Sequence, residues 1–300
     1  MDKKSVKQPT IKKEFNIYKL LTFLLAAILL VVIGILGRNW LVARDAQRQY
    51  EDLAEQVNRL QNQSNQDNYF QEEPVETQEI TEGTEEETQE SEEVISEDAP
   101  DFDVPQKNLD WAAIREINPD IYAWICIPGT EVDYPILQHP TDDSYYLNYN
   151  MNGTRGYPGC IYTERLNRKD FTDFDTVVYG HNMRNDSMFA TLHNFEDKTF
   201  FDSNPYVYIY IGDKVLVYEI FAAYTGGNEH ILYANDFTNE AGRKSYLDSI
   251  AKSNYMNANL RDTELTTESH ILTLSTCVQG HAKNRYLVQA VLRNEEALTE

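Results

Sequence analysis

A run of eighteen residues without a single charge, from Leu20 to Gly37, limits what this chain can be more than any other feature. As a helix that rises about 1.5 Å per residue, the run spans roughly 27 Å, which is just enough to cross the hydrocarbon core of a bilayer. The residues that follow, Arg38–Leu41, offer no small side chains at which a signal peptidase would cut. We therefore predict a single, uncleaved transmembrane signal anchor over residues 20–37.

The charges beside this anchor set its expected orientation. Residues 1–19 contain six lysines and only two acidic residues. Positive charge next to a membrane span favours the cytoplasmic side. We expect a single-pass protein of the cell membrane, in which residues 1–19 form a basic cytoplasmic tail and everything after the anchor is extracellular.

The segment that follows the anchor, 38–63, has the spacing of an amphipathic helix. Its apolar side chains recur every three or four positions, at Leu41, Ala46, Tyr50, Leu53, Val57 and Leu60. This period predicts a juxtamembrane helix with one apolar stripe. The stripe suits pairing with a second copy of the chain but is too short to establish a coiled coil, so dimerisation stays an open alternative.

A strongly acidic segment, 64–105, separates this helix from the rest of the chain. Fifteen acidic residues lie between Glu72 and Asp103, and no lysine or arginine occurs between Arg59 and Lys107. Such a composition buries too little apolar surface to order itself, and its charges repel one another. We predict a disordered linker here, with an acidic interaction tail as the alternative.

The charge balance narrows the choice of partners. The whole chain carries a net charge of −23, and residues 104–300 hold 16 basic against 27 acidic side chains. An acidic surface repels phosphate groups. This balance argues against nucleic acid or anionic lipid as the partner of the folded part.

Residues 106–293 have the length of one globular domain, followed by a short tail, 294–300. Short runs rich in Val, Ile and Tyr, separated by Gly, Pro and Asn, predict seven or eight strands with helices between them. Pro135 confines its strand to an edge or a strand start. The expected fold is mostly β with peripheral helices, in the form of a closed or nearly closed β-barrel.

Two apolar runs near the end of this domain predict a β-hairpin. They are His270–Cys277 and Arg285–Leu292, and the polar segment Val278–Asn284 between them is expected to be a loop. In an antiparallel pair Cys277 and Arg285 face each other, which brings a fixed positive charge to a thiol. A neighbouring cation favours the nucleophilic thiolate. The alternative is a buried structural cysteine with an arginine at the rim.

One of the six histidines stands out by its position. His181 follows an apolar strand, and Gly180 before it lets the chain turn sharply, so we expect an exposed, functional imidazole. The other five are interpreted as ordinary structural or surface residues: His139, His193, His230, His270 and His281. Cys277 and His281 lie four residues apart, but two ligands do not make a structural metal site, so we expect neither metal nor cofactor.

Several of these residues lie in motifs that resemble the sortases, the membrane-anchored cysteine transpeptidases of Gram-positive bacteria. The motifs are Tyr179–Met183 around the histidine, Thr273–Cys277, Asn284–Val288 with the arginine, Tyr134–Gln138 and Tyr145–Leu147. The helix-bearing insertion before the cysteine strand is similar to class B. The resemblance covers about residues 106–293.

Two departures from the class B pattern bear on substrate binding. Asp142 and Asp143 stand where class B members commonly have Asp and Asn before the Tyr–Leu pair. Val278 and Gln279 follow the cysteine, where an acidic residue is often found. The first departure changes a side chain that the resemblance would place against the substrate.

The resemblance implies a thiol-protease-like mechanism. Cys277 would attack the carbonyl of a Thr–Gly or Thr–Asn bond in the C-terminal sorting signal of a surface protein and form a thioacyl intermediate. His181 would protonate the leaving amine and then accept a proton from an incoming cell-wall precursor or pilin amine. Arg285 would stabilise the oxyanion. The implied substrate contacts are Ser275, Thr276, Leu147 and Asp143, of which Ser275 shares a strand face with Cys277.

Two other functions stay open. An extracellular cysteine peptidase would pass the same intermediate to water, although papain-like enzymes place their cysteine before their histidine, which is the reverse of the order here. A non-catalytic, anchored binding module would keep the fold and lack the chemistry. Cys126 and Cys160 would suit a disulfide in an extracellular domain, but we favour two buried thiols.

Overall fold

A computed structural model describes residues 17–69, 102–251 and 258–298 of the 300-residue chain. Nine strands lie in these ranges. They are β1 (Ile121–Cys126), β2 (Asp133–Leu137), β3 (Ile161–Thr163), β4 (Asp175–Tyr179), β5 (Tyr206–Ile211), β6 (Lys214–Gly227), β7 (Asn259–Leu260), β8 (Ile271–Val278) and β9 (His281–Leu292).

Eight of these strands close into a barrel. They pair in the order β5-β1-β2-β3-β4-β8-β9-β6, and β6 pairs with β5 to complete the ring, while the short β7 lies outside on β6. Closure satisfies the backbone hydrogen bonds that an open sheet would leave at its edges. The closed β-barrel predicted from the sequence is confirmed. The prediction that Pro135 confines its strand to an edge or a strand start was wrong, because β2 lies between β1 and β3 and Pro135 is its middle residue, opposite Trp124 of β1. Its missing N–H is tolerated since β2 pairs with β3 only from Ile136 onward.

Most pairs in the barrel are antiparallel, but β2–β3 and β4–β8 are parallel. Parallel neighbours need long connections, and every helix between β2 and β8 lies in one of these two connections. The helices are α1 (Ile17–Tyr69), α2 (Trp111–Ile117), α3 (Tyr145–Asn148), α4 (Lys198–Ser203), α5 (Ile231–Ala234) and α6 (Glu240–Ala251), with 3₁₀ turns at Ala190–Glu196 and Glu295–Leu298.

Large apolar side chains fill the barrel. Trp124, Tyr218 and Tyr286 are among the largest side chains with less than 2% of their surface exposed. A second cluster lies outside the barrel, where Tyr246 and Ile250 of α6 pack against neighbours on β6 and β9. The insertion that carries α6 is therefore anchored to the wall of the barrel by apolar contacts.

Helix α1 is one continuous helix of 53 residues. It contains both the predicted anchor, 20–37, and the predicted juxtamembrane helix, 38–63, and it continues six residues into the predicted linker. Its N-terminal part is long and apolar enough to cross a membrane, with a mean hydropathy of 3.0 in its most apolar window. The remaining linker up to 101, and residues 1–16 of the basic tail, lie outside the described residues.

The juxtamembrane half of α1 packs on the barrel. Four members of its predicted apolar stripe, Ala46, Tyr50, Leu53 and Val57, are each no more than 5% exposed. The stripe that would suit a second copy of the chain is therefore covered by the chain's own domain.

Contacts with the barrel also occur at both ends of the predicted domain. The ring of Phe102 meets that of Tyr206 edge-on, with centroids 5.5 Å apart, and Tyr208 donates a hydrogen bond to the carbonyl of Asp103. Asn294 accepts from the amide of Val217 at 2.8 Å. Contacts with the barrel thus extend to residues on either side of 106–293.

Candidate active site

Two parallel strands bring the predicted histidine and cysteine to the same rim of the barrel. In the β4–β8 pair, Tyr179 lies opposite Ser275. His181 and Cys277 each lie two residues beyond this pair. Because parallel strands end on the same side of a sheet, the two residues emerge together although they are 96 positions apart in the chain.

Cys277 is the first exposed residue of a strand that is otherwise buried up to that point. Every residue from Ile271 to Thr276 is buried, and Cys277 is exposed. Cys126 and Cys160 are buried free thiols, and desolvation raises their pKa to about 11 and about 12. Burial disfavours their thiolates, so Cys277 is the thiol among the three that is accessible to a substrate.

Arg285 lies directly opposite Cys277 in the β8–β9 register, as the hairpin predicted. Its guanidinium donates to the backbone carbonyls of Ala282 and Asn284, at 3.2 and 2.9 Å. These bonds use one nitrogen, Nη1, and hold the side chain along its own strand. Among the described residues the guanidinium makes no other hydrogen bond, so the remaining N–H groups of the fork stay available for another acceptor.

The connection between Cys277 and Arg285 differs from the predicted loop. The prediction of a loop over Val278–Asn284 was wrong, because β8 continues to Val278 and β9 begins at His281, which leaves a two-residue turn. Gly280 allows this turn, since its φ of +77° lies in the left-handed region that such hairpin turns require. A register shift after Cys277 places the extra residues in β9 as a bulge.

The imidazole of His181 is oriented by a backbone carbonyl. Its Nε2 lies 2.8 Å from the carbonyl oxygen of Leu147, in α3. A ring nitrogen that faces a carbonyl oxygen carries the proton, so the neutral ring has its basic nitrogen at Nδ1. The ring of Tyr157 packs edge-on against it, with centroids 5.1 Å apart.

A cleft of about 280 Å³ contains most of the predicted site residues. Six of the seven line it: Leu147, His181, Ser275, Thr276, Cys277 and Arg285. Thr276 is 1% exposed, and its hydroxyl donates to the carbonyl of Gly180 at 2.8 Å. This bond joins the strand that carries the cysteine to the loop that carries the histidine.

Asp143 is the predicted site residue that does not line the cleft. Its two carboxylate oxygens accept from Nε and Nη2 of Arg165 at 2.9 and 3.0 Å. Hydrogen bonds from Arg165 lower the pKa of Asp143. Where class B commonly has a neutral Asn, this chain therefore has a carboxylate already paired with a guanidinium.

The cleft contains a histidine–glutamate pair that sequence reasoning missed. His230, at the start of the insertion, places its Nε2 2.8 Å from Oε2 of Glu164, directly after β3. Desolvation raises the pKa of Glu164, and the neighbouring His230 opposes this. Both side chains line the cleft. His230, which we interpreted from the sequence as an ordinary residue, therefore links the insertion to the residue after β3 on one side of the cleft. The pairing of Glu164 with His230 joins residues 66 positions apart, so it depends on the tertiary structure alone.

Another histidine lies behind the nucleophile. His193 stacks on Tyr286 with ring centroids 4.6 Å apart, and its Nδ1 lies 2.7 Å from Oε1 of Glu196. Its Nε2 lies 3.0 Å from Nδ2 of Asn182, which donates to the carbonyl of Cys277 at 2.9 Å. The Nε2 of His193 itself lies 3.1 Å from the same carbonyl oxygen, so contacts run from Glu196 through the imidazole to the backbone of Cys277.

Within the described ranges, no three His, Cys, Asp or Glu side chains are grouped as metal ligands. The cleft instead combines an accessible thiol, an oriented imidazole and a guanidinium on one rim. This is the set of groups that nucleophilic acyl transfer uses.

Comparisons with known proteins agree with this chemistry. A family model described as the Sortase domain matches residues 125–293. Sortase B of Listeria monocytogenes is 32% identical over 181 residues, which are 60% of this chain and 72% of that protein. The structure of Clostridium perfringens sortase B superposes with a TM-score of 0.54 and 34% identity, over 60% of this chain and 98% of that one. The structure of a Staphylococcus aureus sortase B–substrate complex superposes with a TM-score of 0.54 and 25% identity, over 60% of this chain and 83% of that one.

Proposed function

Because the chain belongs to the sortase family, in class B as its motifs predicted, we propose that Cys277, His181 and Arg285 carry out its cysteine transpeptidase reaction. The substrate is the C-terminal sorting signal of a surface protein, cleaved at a Thr–Gly or Thr–Asn bond. The acceptor is a primary amine of a cell-wall precursor or a pilin. No cofactor takes part in this scheme.

The first half of the reaction makes a thioester. The thiolate of Cys277 attacks the threonine carbonyl carbon, and the oxygen takes up negative charge next to the free N–H groups of Arg285. The C–N bond then breaks as protonated His181 gives its proton to the leaving amine. The products are an acyl group on Cys277 and a free amine-terminated peptide.

The second half transfers the acyl group. The incoming amine attacks the thioester carbonyl and gives up a proton to neutral His181. The C–S bond breaks, and the thiolate of Cys277 is regenerated. The net reaction exchanges one amide bond for another, so it needs neither an oxidant nor ATP.

The parallel register of β4 and β8 is the observation that carries the proposal. In this register His181 and Cys277 lie at equal positions beyond one strand pair, and in the antiparallel register of β8 and β9 Arg285 lies opposite Cys277. Leu147, Ser275 and Thr276 line the same cleft and are the proposed substrate contacts. Asp143 remains a predicted contact, and there a peptide has to compete with Arg165.

Product analysis with the full-length protein in detergent tests the proposal. Fluorescent peptides that end in a panel of Thr–Gly and Thr–Asn sorting pentapeptides are incubated with and without a primary amine. We expect cleavage in both cases and a new amide product when the amine is present. Cys277→Ala should abolish cleavage, and Arg285→Lys should lower kcat roughly 100-fold because a bidentate donor is lost. His281→Ala, an exposed position on the same hairpin, is the control.

The same assay decides between the proposal and its alternatives. Cleavage without any amine product at saturating amine would identify a peptidase. Cleavage that survives in Cys277→Ala would show that Cys277 is not the nucleophile, and it would favour a non-catalytic, anchored binding module.

We also propose that α1 anchors the enzyme in the cell membrane with its N-terminus in the cytoplasm. The apolar residues from Leu20 to Leu36 are exposed along the helix, which suits contact with lipid. Protease added to intact cells should digest the barrel and spare a tag fused before Met1. Digestion of that tag in intact cells would show that the N-terminus is extracellular, which is the opposite orientation.

A further inference from the structure

The short segment Gly156–Cys160 lies between α1 and the candidate catalytic histidine. On the α1 side, the hydroxyl of Tyr50 donates to the carbonyl of Gly159 at 2.9 Å, in a buried position. The Tyr50 ring also meets Tyr134 of β2 edge-on, with centroids 5.4 Å apart. Tyr50 thus bridges the barrel wall and this segment.

The other side of the segment contacts His181. A Cβ on Gly159 would lie 3.4 Å from Cδ2 of His181 and 2.6 Å from the carbonyl oxygen of Tyr146, and the residue has a φ of +68°. Only glycine allows the backbone to approach the ring this closely. Tyr157, two residues earlier, packs edge-on against the same ring.

Further contacts fix the segment from α1 and from α3. A Cβ on Gly156 would lie 3.1 Å from Cγ1 of Val42, so the backbone there is in contact with α1. Cys160 donates its amide to the carbonyl of Tyr146 at 2.9 Å, one residue before the carbonyl of Leu147 that orients His181. The segment and the imidazole are therefore held by the same turn of α3.

We propose that the juxtamembrane half of α1 is a positioning element for His181, and that Tyr50 is its main contact. By holding Gly159, Tyr50 keeps the segment Gly156–Cys160 packed against the imidazole and limits the ring to the orientation set by Leu147. The part of the chain that ties the domain to the membrane helix thereby supports proton transfer. The effect on turnover rests on the proposed function of His181, whereas the effect on the ring's orientation does not.

Removal of one oxygen atom tests this inference. Tyr50→Phe in the full-length protein leaves the ring packing in place but takes the donor from a buried carbonyl, which has to shift to find another partner. A small misplacement of a catalytic group lowers the rate strongly, so we expect kcat to fall roughly tenfold. The KM should stay within about twofold of wild type, because residues 156–160 do not line the cleft. Tyr18→Phe, at a position 77% exposed on the same helix, is the matched control.

Two further measurements separate positioning from a general loss of structure. Alkylation of Cys277 by iodoacetamide should proceed at the wild-type rate in Tyr50→Phe, because no hydrogen bond or ring contact among the described residues joins the nucleophile strand to this segment. The ¹³C resonances of His181, recorded across pH in a Cys277→Ala background, should move relative to those of wild type. Val42→Ala, which loosens the contact at Gly156 without removing a polar group, should shift kcat in the same direction by a smaller factor.

Three results would overturn the inference. The first is an unchanged kcat in Tyr50→Phe. The second is a fall in kcat accompanied by an equally large change in KM and in the rate of Cys277 alkylation. The third is a set of His181 resonances that is identical in wild type and Tyr50→Phe. If wild type shows no transpeptidation at all, the proposed function fails. The His181 resonances then still decide whether α1 positions the ring.

Discussion

The buried carboxyl of Asp175 should make the stability of this protein depend on pH. Asp175 begins β4 and is 1% exposed. One oxygen accepts from the hydroxyls of Tyr246 and Thr273, at 2.8 and 3.1 Å, while the other, Oδ1, has no hydrogen-bond partner among the described residues. Desolvation raises the pKa of Asp175 to about 7, although both hydroxyls oppose the rise.

The direction of the effect follows from proton binding. An unfolded Asp releases its proton near pH 4, whereas folded Asp175 keeps it up to about pH 7. The folded state therefore binds more protons in this window, and the free energy of unfolding falls as pH rises through it. Three pH units correspond to roughly 4 kcal/mol, after which the curve should flatten.

Asp175→Asn should remove this dependence. The amide oxygen keeps the acceptor for Tyr246 and Thr273, and the side chain is neutral at every pH. An unpaired amide N–H adds a penalty of about 1–3 kcal/mol that does not vary with pH. The test is therefore the slope of stability with pH, not its absolute value.

Urea unfolding of the full-length protein in detergent, followed by tryptophan fluorescence from pH 4.5 to 8.5, measures this slope. Wild type should lose stability up to about pH 7, and the Asn variant should lose less. Asp213→Asn removes a charge from the exposed β5–β6 turn and should leave the wild-type slope unchanged. Parallel curves for wild type and Asp175→Asn would refute the reasoning.

Three further predictions concern the contacts around the cleft and α1. His193→Phe keeps the ring stack but removes both nitrogens, so the rate of Cys277 alkylation should change roughly tenfold. His193→Gln retains a polar atom and should keep the wild-type rate of alkylation. Equal rates in the two variants would contradict this prediction. Thr276→Val leaves the Gly180 carbonyl unpaired and should cost about 1–3 kcal/mol in urea unfolding together with lower kcat, whereas an unaffected kcat would mean that this bond does not position the loop. Leu53→Ala should weaken the docking of α1 by about 2–5 kcal/mol, seen as faster limited proteolysis of α1, and wild-type resistance would argue against docking through this stripe.

Local patterns in the sequence were sufficient for the elements of the barrel. Short runs rich in Val, Ile and Tyr between Gly, Pro and Asn predicted the strands because a strand's side-chain period and its turn residues are local properties. The opposition of Cys277 and Arg285 was predictable for the same reason, since an antiparallel hairpin fixes its own register. The loop between them was misjudged because polar residues in a bulged strand resemble a loop.

Contacts between distant parts of the chain were beyond such patterns. The sequence motif around His181 indicated an exposed imidazole, but its place beside Cys277 depends on the parallel pairing of β4 with β8. The pairs Glu164–His230 and Asp143–Arg165 likewise join distant residues, and no local sequence pattern around either residue of a pair predicts the contact.

The chain by itself determined which segments are apolar enough to enter a membrane, which alternate as strands, and which side chains carry chemistry, because each of these depends on composition and spacing over a few residues. The tertiary structure alone decided which of those segments meet. It put the stripe of α1 on the barrel instead of on a second copy, and Tyr50 against the segment that supports His181. Closure of the barrel and burial of its core are properties of all the strands together, so no single stretch of sequence specifies them.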